Sequence, residues 1–132
     1  VIDWEKARVV TQKAPSESEI ASMKFAVRIC EQVKSNAIVM VQGTATVGIG
    51  PGQTSRVEAV RIAARRAGEK AKGCVLASDA FFPFPDGPEV LIDAGISCIV
   101  QPGGSKRDDE TLSLCDKHGV ICMTTGIRHF RH

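Results

Sequence analysis

The sequence predicts an α/β fold, a three-layer α/β/α sandwich around a mixed sheet of about five strands. From residue 74 onward, short apolar strands alternate with helical segments in the order βαβαβ, and such short crossovers make neighbouring strands parallel. Ahead of them, two runs of β-branched residues separated by a short turn at Gly43 predict a β-hairpin. A chain of 132 residues, 43% of them hydrophobic, suits a single domain over residues 1–132.

The first helix has the clearest local signal. Ser16 and Glu19 form a capping box ahead of apolar residues at helical spacing, which predicts a helix from about Ser16 to Lys34 after an extended lead-in. The other predicted elements are strands at 37–42 and 46–50, a helix at 55–72, a strand at 74–78, a helix at 88–94, a strand at 97–101, a helix at 109–118 and a strand at 120–125.

The composition excludes several classes of partner. Net charge is +2 with acidic and basic residues interspersed, so we expect no nucleic-acid interface. Five cysteines lie mostly in apolar runs and predict buried thiols in a reducing compartment. Since no apolar run approaches the roughly 20 residues of a membrane span, and no charged leader opens the chain, we expect a cytoplasmic protein without a membrane partner.

A ligand site is expected beyond the carboxyl ends of the strands, where open α/β sheets collect their ligands. Four unusual segments follow strands there: "GIGPGQTSR", "SDAFFPFPDG", "QPGGSKRDD" and the tail "GIRHFRH". Glycines before a helix favour either an anion site at the helix N-terminus or a plain turn with positive φ angles. For "GIGPGQTSR" and "QPGGSKRDD" the spacing matches no phosphate-binding motif, so the turn is the simpler interpretation.

Two of these segments leave alternatives open. In "SDAFFPFPDG", three Phe residues around prolines cannot all face one core, so the loop either stacks on a flat heterocycle or plugs the core with two rings. The tail concentrates arginines and histidines. It is either a solvated basic end or a docked segment that offers a guanidinium to a phosphate and an imidazole to proton transfer.

Other motifs are missing or have a structural explanation. The pair HxE and PCxxC is absent, so we expect no zinc deaminase site even though the strand order suits that fold. Lys117 and His118 look like an acid/base pair. They precede Gly119 at a predicted helix end, where cations favour the helix dipole, and we interpret them as part of a C-cap.

Several segments together resemble one enzyme family. The segments "VVTQKAPSESE", "VKSNAIV", "GIGPGQTSRVEAVRIA", "LASDAFFPFPDG", "VQPGGSKRDDE" and "GIRHFRH" are similar, in this order, to the carboxyl-terminal half of the transformylase region of the bifunctional purine biosynthesis protein. That family combines aminoimidazole carboxamide ribonucleotide (AICAR) formyltransferase with IMP cyclohydrolase. The resemblance covers essentially the whole chain and implies the second of two cytidine deaminase-like units that have lost zinc chemistry.

The resemblance also implies roles for residues at the nucleotide. The family transfers a formyl group from 10-formyltetrahydrofolate, a co-substrate, to the amine of AICAR. Asn36 resembles the asparagine that meets the carboxamide or the formyl oxygen, and His132 resembles a terminal histidine that steadies the catalytic imidazole. Arg56, Phe81 and Arg128 resemble residues that bind the nucleotide.

Other positions resemble those for folate and a cation. Pro83, Asp86 and Gly87 match the region that receives the pterin, although members with Asn in place of Gly87 show that only its backbone is available here. Ser35 and Asp79 match positions around a potassium ion in some members.

One absence limits the activity expected of the chain alone. The family's catalytic Lys-His dipeptide lies in the upstream half, which this sequence lacks, and Lys117–His118 is not its equivalent. We therefore expect a homodimer or a partner that carries the upstream half. The alternatives are a non-catalytic purine-ribonucleotide or folate binding module and an oligomerisation unit.

Overall fold

Six strands and four helices make up the part of the chain that the computed structural model describes, which is residues 4, 7–33, 37–50, 56–79, 86–102 and 108–126. In chain order they are β1 (Arg8–Val9), α1 (Glu17–Cys30), β2 (Ile38–Gln42), β3 (Ala45–Gly50), α2 (Arg56–Ala67), β4 (Val75–Ser78), α3 (Asp86–Asp93), β5 (Cys98–Gln101), α4 (Asp108–His118) and β6 (Ile121–Thr124). A short 3₁₀ turn, Gly68–Ala71, follows α2.

The strands form one mixed sheet in the order β1-β6-β5-β4-β2-β3. Strands β4, β5 and β6 are parallel neighbours. Strand β2 runs antiparallel to both β3 and β4, which confirms the predicted hairpin. The parallel βαβαβ portion and the antiparallel hairpin are therefore joined through the pairing of β2 with β4.

Two apolar layers enclose this sheet. Met23, Ala26 and Val27 of α1 pack on one face, against residues such as Val39 and Val100. Helices α2, α3 and α4 cover the other face, where the core includes Ala59, Val60, Ala63, Leu91, Ile99 and Cys115. These two layers confirm the predicted three-layer arrangement. The longest helix described, α1, has 14 residues, and no helix in the described ranges is both long and apolar enough to cross a membrane.

The sheet has one strand more than the sequence pattern indicates. Within the predicted extended lead-in, Arg8 and Val9 pair antiparallel with Thr124 and Met123 of β6. The pairing continues as the Val10 N–H donates to the Cys122 carbonyl at 3.0 Å. A two-residue strand has no periodicity of its own, because its pairing depends on contacts more than one hundred residues away in sequence.

The amino end of α1 is the capping box that the sequence predicts. The Glu19 N–H donates to the Ser16 hydroxyl at 3.2 Å, and the Ser16 N–H donates to the Glu19 carboxylate at 3.0 Å. The helix ends at Cys30 rather than at Lys34, because the N–H groups of Gln32 and Val33 bond to carbonyls only three residues back. Such tightening of the last turn is common where a helix ends.

Gly48 and Gly50 are strand residues that allow close packing, and they are not turn glycines. The interpretation of "GIG" as turn glycines with positive φ is wrong for Gly48 and Gly50, which lie inside β3 and are not among the positive-φ glycines. A Cβ on Gly48 would lie 2.2 Å from the Ala63 carbonyl oxygen, and one on Gly50 would lie 1.9 Å from that of Ala59. These glycines are needed because α2 packs directly on the backbone of β3.

The carboxyl end of α4 confirms the predicted C-cap. The Gly119 N–H donates to the Asp116 carbonyl at 3.3 Å, and the Val120 N–H donates to the Cys115 carbonyl at 2.9 Å. With Gly119 at φ 69°, this is the Schellman arrangement, which a left-handed glycine makes possible. His118 therefore ends a helix, and the chain turns from there into β6.

Candidate functional site

Three parallel strands end together at one edge of the sheet, which we call the carboxyl edge. Strands β4, β5 and β6 finish there at Ser78, Gln101 and Thr124. Two hydrogen bonds join the chain just beyond β5 and β6, because the Thr125 N–H donates to the Gln101 carbonyl and the Gly126 N–H to the Pro102 carbonyl, both at 2.9 Å. The described residues therefore stay paired up to the points where the predicted loops begin.

The hairpin brings two more segments to the same edge. Ile38, the first residue of β2, pairs with Ser78 on one side and with Gly50, the last residue of β3, on the other. The Asp79 N–H donates to the Ala37 carbonyl at 3.3 Å. Hence the beginning of β2, the end of β3 and the end of β4 are side by side.

The segments that carry the predicted site residues are attached to this edge. Segment 34–36 precedes Ala37, and the segments that follow strands are 51–55, 80–85, 103–107 and 127–132. The placement predicted from α/β topology is thus confirmed for the residues that flank each segment. Three helices, α2, α3 and α4, begin directly after such a segment, and the contact of Gly50 with Ala59 shows that the first turns of α2 lie at the edge.

The helix beginnings give this edge an electrostatic preference. The first N–H groups of a helix have no partner within the helix and carry a partial positive charge, so anionic groups are favoured near them. The three helices are 12, 8 and 11 residues long. Their common orientation favours a ligand with negatively charged groups.

Asp79 is the predicted site residue whose side chain the structure describes. It follows β4 directly and is fully buried, with 0% of its surface exposed. The hydrogen bond from its N–H to the Ala37 carbonyl places it next to the beginning of β2. Ser35 precedes Ala37 by two positions in the sequence. Of the two residues predicted around a potassium ion, Asp79 therefore lies at the carboxyl edge, and Ser35 lies outside the described residues.

The other predicted residues can be located only through their neighbours. Ser35, Asn36, Phe81, Pro83, Arg128 and His132 lie outside the described residues. Arg56 is the first residue of α2, and Asp86 and Gly87 are the first two of α3, so their backbone positions are described and their side-chain contacts are not. The open alternatives for "SDAFFPFPDG", core plug or stacking loop, concern residues 80–85 and stay undecided.

Buried polar side chains that the sequence analysis did not single out line the same edge. Ser78, Gln101 and Thr125 are exposed by 5%, 2% and 6%. Gln101 Nε2 donates to the Cys122 Sγ at 3.7 Å. A polar residue that ends an apolar strand or directly follows one was the signal available in the sequence, since buried polar groups at such places are normally engaged in hydrogen bonds.

Thr111 adds a hydroxyl in the first turn of α4. It is 1% exposed, and its Oγ1 has no hydrogen-bond partner in the described part of the chain. Together with Gln101, which contacts Cys122 on the face that α4 covers, it makes the interior next to the carboxyl edge polar on the side of α4.

The donor set at the edge suits a hard cation in kind but not in number. Carboxylate and carbonyl oxygens are the donors that hard cations take, and Asp79 provides the carboxylate. Among the described residues, no three His, Cys, Asp or Glu side chains come together as metal ligands. A potassium ion at Asp79 would therefore need oxygen atoms from residues such as Ser35 as well.

Lys117 and His118 lie far from this site. They end α4, and the chain continues from them into the beginning of β6, at the opposite edge of the sheet. The structure therefore separates this Lys-His pair from the loops that carry the predicted nucleotide and folate positions, in agreement with its interpretation as a C-cap.

Solved structures with a similar fold support the architecture. RibD from Acinetobacter baumannii in its form 2 superimposes with a TM-score of 0.57 over 81% of this chain and 34% of that chain, at 17% sequence identity. Form 1 of the same protein gives a TM-score of 0.53 over 78% of this chain and 32% of the other. At this identity the likeness concerns the fold alone, which is cytidine deaminase-like.

Sequence relatives are much closer. The bifunctional purine biosynthesis protein PurH of Chelativorans sp. (strain BNC1) is 54% identical over 100% of this chain, and that of Brucella anthropi is 53% identical over 100%. In both cases the chain spans 26% of the relative's length. The profile of the family described as the AICARFT/IMPCHase bienzyme matches residues 1–66. This protein belongs to the AICARFT/IMPCHase bienzyme family of purine biosynthesis.

Proposed function

We propose that the chain is the carboxyl-terminal part of an AICAR formyltransferase, the second cytidine deaminase-like unit of its transformylase region. The reaction moves a formyl group from 10-formyltetrahydrofolate to the amine of AICAR and gives FAICAR. The observation that carries the proposal is that all the segments resembling the family's substrate loops attach to one edge of the sheet. The match to PurH over the whole chain supports it.

The chemistry requires positioning and charge stabilisation. The amine of AICAR is a weak nucleophile, because its ring withdraws the lone pair. The protein must therefore hold it against the formyl carbon, accept its proton and stabilise the charge that develops on the formyl oxygen. In our proposal the amide of Asn36 donates to the carboxamide or formyl oxygen, Phe81 lies against the base, and Arg56 and Arg128 bind the nucleotide.

The folate co-substrate and a cation occupy the neighbouring part of the same edge. We assign the pterin to Pro83, Asp86 and the backbone of Gly87, at the beginning of α3. Asp79 and Ser35 would hold the potassium ion, whose positive charge would balance the buried carboxylate. The buried carboxylate of Asp79 beside the start of β2 is the described feature that supports this assignment.

The proposed site is incomplete without further polypeptide. The described part of the carboxyl edge provides a carboxylate, hydroxyls and an amide, and it includes no lysine or histidine side chain to take the amine's proton. We propose that the upstream Lys-His half supplies this base, within a homodimer or from a separate partner. His132 steadies the imidazole of that half.

Formyl transfer measured with and without the upstream half tests the proposal. The upstream half of the PurH relative from Chelativorans sp. serves as the partner, and tetrahydrofolate production is followed. We expect activity only when both parts are present, and its loss in Asn36→Ala. Full activity of the isolated chain would contradict the role given to the missing Lys-His pair, and inactivity of the mixture despite a stable complex would contradict the formyltransferase assignment.

Calorimetry separates catalysis from simple binding. If the chain binds AICAR alone, heat of binding is expected for the wild type and a strongly reduced heat for Arg128→Ala, with Lys117→Ala as the matched cationic control at the opposite edge. Binding without formyl transfer in the complemented protein would favour a purine-ribonucleotide or folate binding module. No binding in any form would leave an oligomerisation unit.

A further inference from the structure

Strand β3 is the outermost strand at one side of the sheet. Within the described residues it has a strand partner on one side only, which is β2. It has six residues, whereas β1 at the other side of the sheet has two. An edge strand of six residues presents roughly 20 Å of backbone N–H and C=O groups to its surroundings. Such edges pair readily with another strand, and native proteins therefore cover or protect them.

An open groove runs along this edge of the sheet. Its volume is about 290 Å³, and its lining consists of Thr46, Val47, Gly48, Ile49 and Arg66. The two branched apolar residues are half-buried and pack on opposite faces of the sheet, Val47 with the core under α2 to α4 and Ile49 with the core under α1. The groove therefore offers backbone groups along its length and an apolar side chain toward each face.

The part of the edge nearest the candidate site is regular. Val47 is an extra residue in β3, at the point where its register with β2 shifts. A bulge of this kind bends an edge strand and limits pairing where it occurs. Residues 48–50 follow it, and they pair with three successive residues of β2 up to the carboxyl edge. A further strand can therefore pair there.

Arg66, near the end of α2, reaches over this regular part. Its Nη1 donates to the Ile49 carbonyl at 2.9 Å. The side chain is exposed, and a guanidinium carries five N–H donors, so a single carbonyl does not use its full capacity. Arg61 and Arg65 are exposed on the same helix. The α2 side of the groove is therefore positively charged and fits a carboxylate.

The charge of this side distinguishes between occupants. Two copies of the chain paired through β3 would bring the arginines of both α2 helices to one groove, and like charges oppose that contact. An extended segment with acidic side chains meets no such repulsion. Polypeptide outside this chain is available in the family, since the chain spans 26% of the length of its PurH relatives. Because β3 ends with Gly50 at the carboxyl edge, a segment beside it leads to the site.

We propose that the edge of β3 docks an extended acidic segment of the upstream half, which adds a strand to the sheet beside Ile49 and places a carboxylate on Arg66. In the free chain, Arg66 holds the Ile49 carbonyl and protects the edge from other strands. On docking, an N–H of the segment bonds to that carbonyl, and the guanidinium turns to the carboxylate. The choice of the upstream half as partner rests on the proposed function.

Hydrogen exchange tests the docking. The chain is measured alone and mixed with the upstream half of the PurH relative from Chelativorans sp. We expect the amides of residues 45–50 to exchange at least about tenfold more slowly in the complex. Protection of other surfaces while these amides exchange as in the free chain would overturn the proposal. Protection of 45–50 in the chain alone, with a dimer in sedimentation, would overturn it in favour of a second copy.

Charge reversal tests the carboxylate contact. Arg66→Glu should weaken the complex at least about tenfold, because it removes the donor and repels the acidic segment. Arg61→Glu is the matched control, since Arg61 is an exposed arginine of the same helix outside the groove lining, and it should weaken the complex less than about twofold. Equal effects of the two variants would show general charge attraction and refute the groove. If Arg66→Glu does not fold, hydrogen exchange of the wild type decides.

Formyl transfer separates this docking from the proposed function. With the upstream half at saturation, Arg66→Glu should reach the kcat of the wild type, because Arg66 lies outside the segments assigned to the substrates. Formyl transfer by a complex whose β3 amides stay unprotected would refute the docking alone. Protected β3 amides in an inactive complex would refute the formyltransferase assignment alone.

Discussion

Replacing Gly50 by alanine tests whether close packing, and not backbone flexibility, explains the glycines of β3. The added Cβ would lie 1.9 Å from the Ala59 carbonyl oxygen, and 2.8 Å from the carbon of the same carbonyl. Ordinary contact begins near 3.4 Å, so β3 and α2 must move apart by about 1.5 Å. Since the obstacle is backbone and not the end of a flexible side chain, no rotamer change can relieve it.

The expected cost can be bounded. Overpacking costs about 1–3 kcal/mol, and a backbone obstacle belongs at the upper end of that range. The lower conformational entropy of alanine in a strand offsets about 0.5–1 kcal/mol of it. We therefore expect Gly50→Ala to lower the free energy of unfolding by about 2 kcal/mol, which corresponds to a fall in Tm of roughly 6–10 °C for a chain of this size.

Urea unfolding followed by circular dichroism measures this change, and two further variants isolate its cause. Gly43→Ala places the same methyl in open space at a φ of 61°, so it reports only left-handed strain, about 1 kcal/mol. Ala59→Gly added to Gly50→Ala removes the Ala59 methyl but not its carbonyl, and should not restore stability. A free energy of unfolding for Gly50→Ala within about 0.5 kcal/mol of the wild type, or recovered stability in the double variant, would show that close packing does not explain this glycine.

Three other predictions follow from the described contacts. Ser16→Ala removes the hydroxyl that caps α1 and should lower the free energy of unfolding by about 1 kcal/mol. Ser113→Ala, at an exposed position, should change it little, and the urea midpoints of the two variants measure the difference. Burial raises the pKa of Cys98 from 9.0 to about 12, so the contribution of its protonated thiol to stability is complete below pH 9 and is lost as the pH rises toward 12. The difference between the urea midpoints at about pH 8 and about pH 10.5 should therefore be smaller in Cys98→Ala than in the wild type. His118→Ala, at the opposite edge from the site, should leave kcat of the complemented enzyme unchanged, and a large drop would restore it as a catalytic candidate.

Most of the fold could be predicted from the sequence because most of its helices and strands have local sequence patterns. The capping box at Ser16 fixed where α1 begins, and alternation of short apolar strands with helices fixed the parallel part of the sheet. The expected position of the site followed from topology, since the carboxyl ends of parallel strands meet at one edge.

What the sequence did not reveal depends on long-range contacts. Strand β1 exists because Arg8 and Val9 meet β6, and nothing in those two residues indicates a partner so distant. The glycines of β3 look identical to turn glycines until the approach of α2 is known. In the sequence, Gln101 looks like the ordinary polar end of a strand. Its contact with Cys122 becomes visible only when β5 is paired beside β6.

The distribution of histidines explains why the proposed site needs a second polypeptide segment. The chain has three histidines, of which His118 ends α4 at the edge away from the site. The other two, His129 and His132, belong to the tail that follows Gly126 at the carboxyl edge. Transfer of a proton from a weakly basic amine needs a base with a pKa near neutrality. The buried side chains described at the carboxyl edge carry hydroxyl, amide and carboxylate groups and do not include an imidazole. Under the proposed function, an imidazole that this chain contributes comes from its tail, and we propose that the proton transfer itself belongs to the upstream Lys-His half.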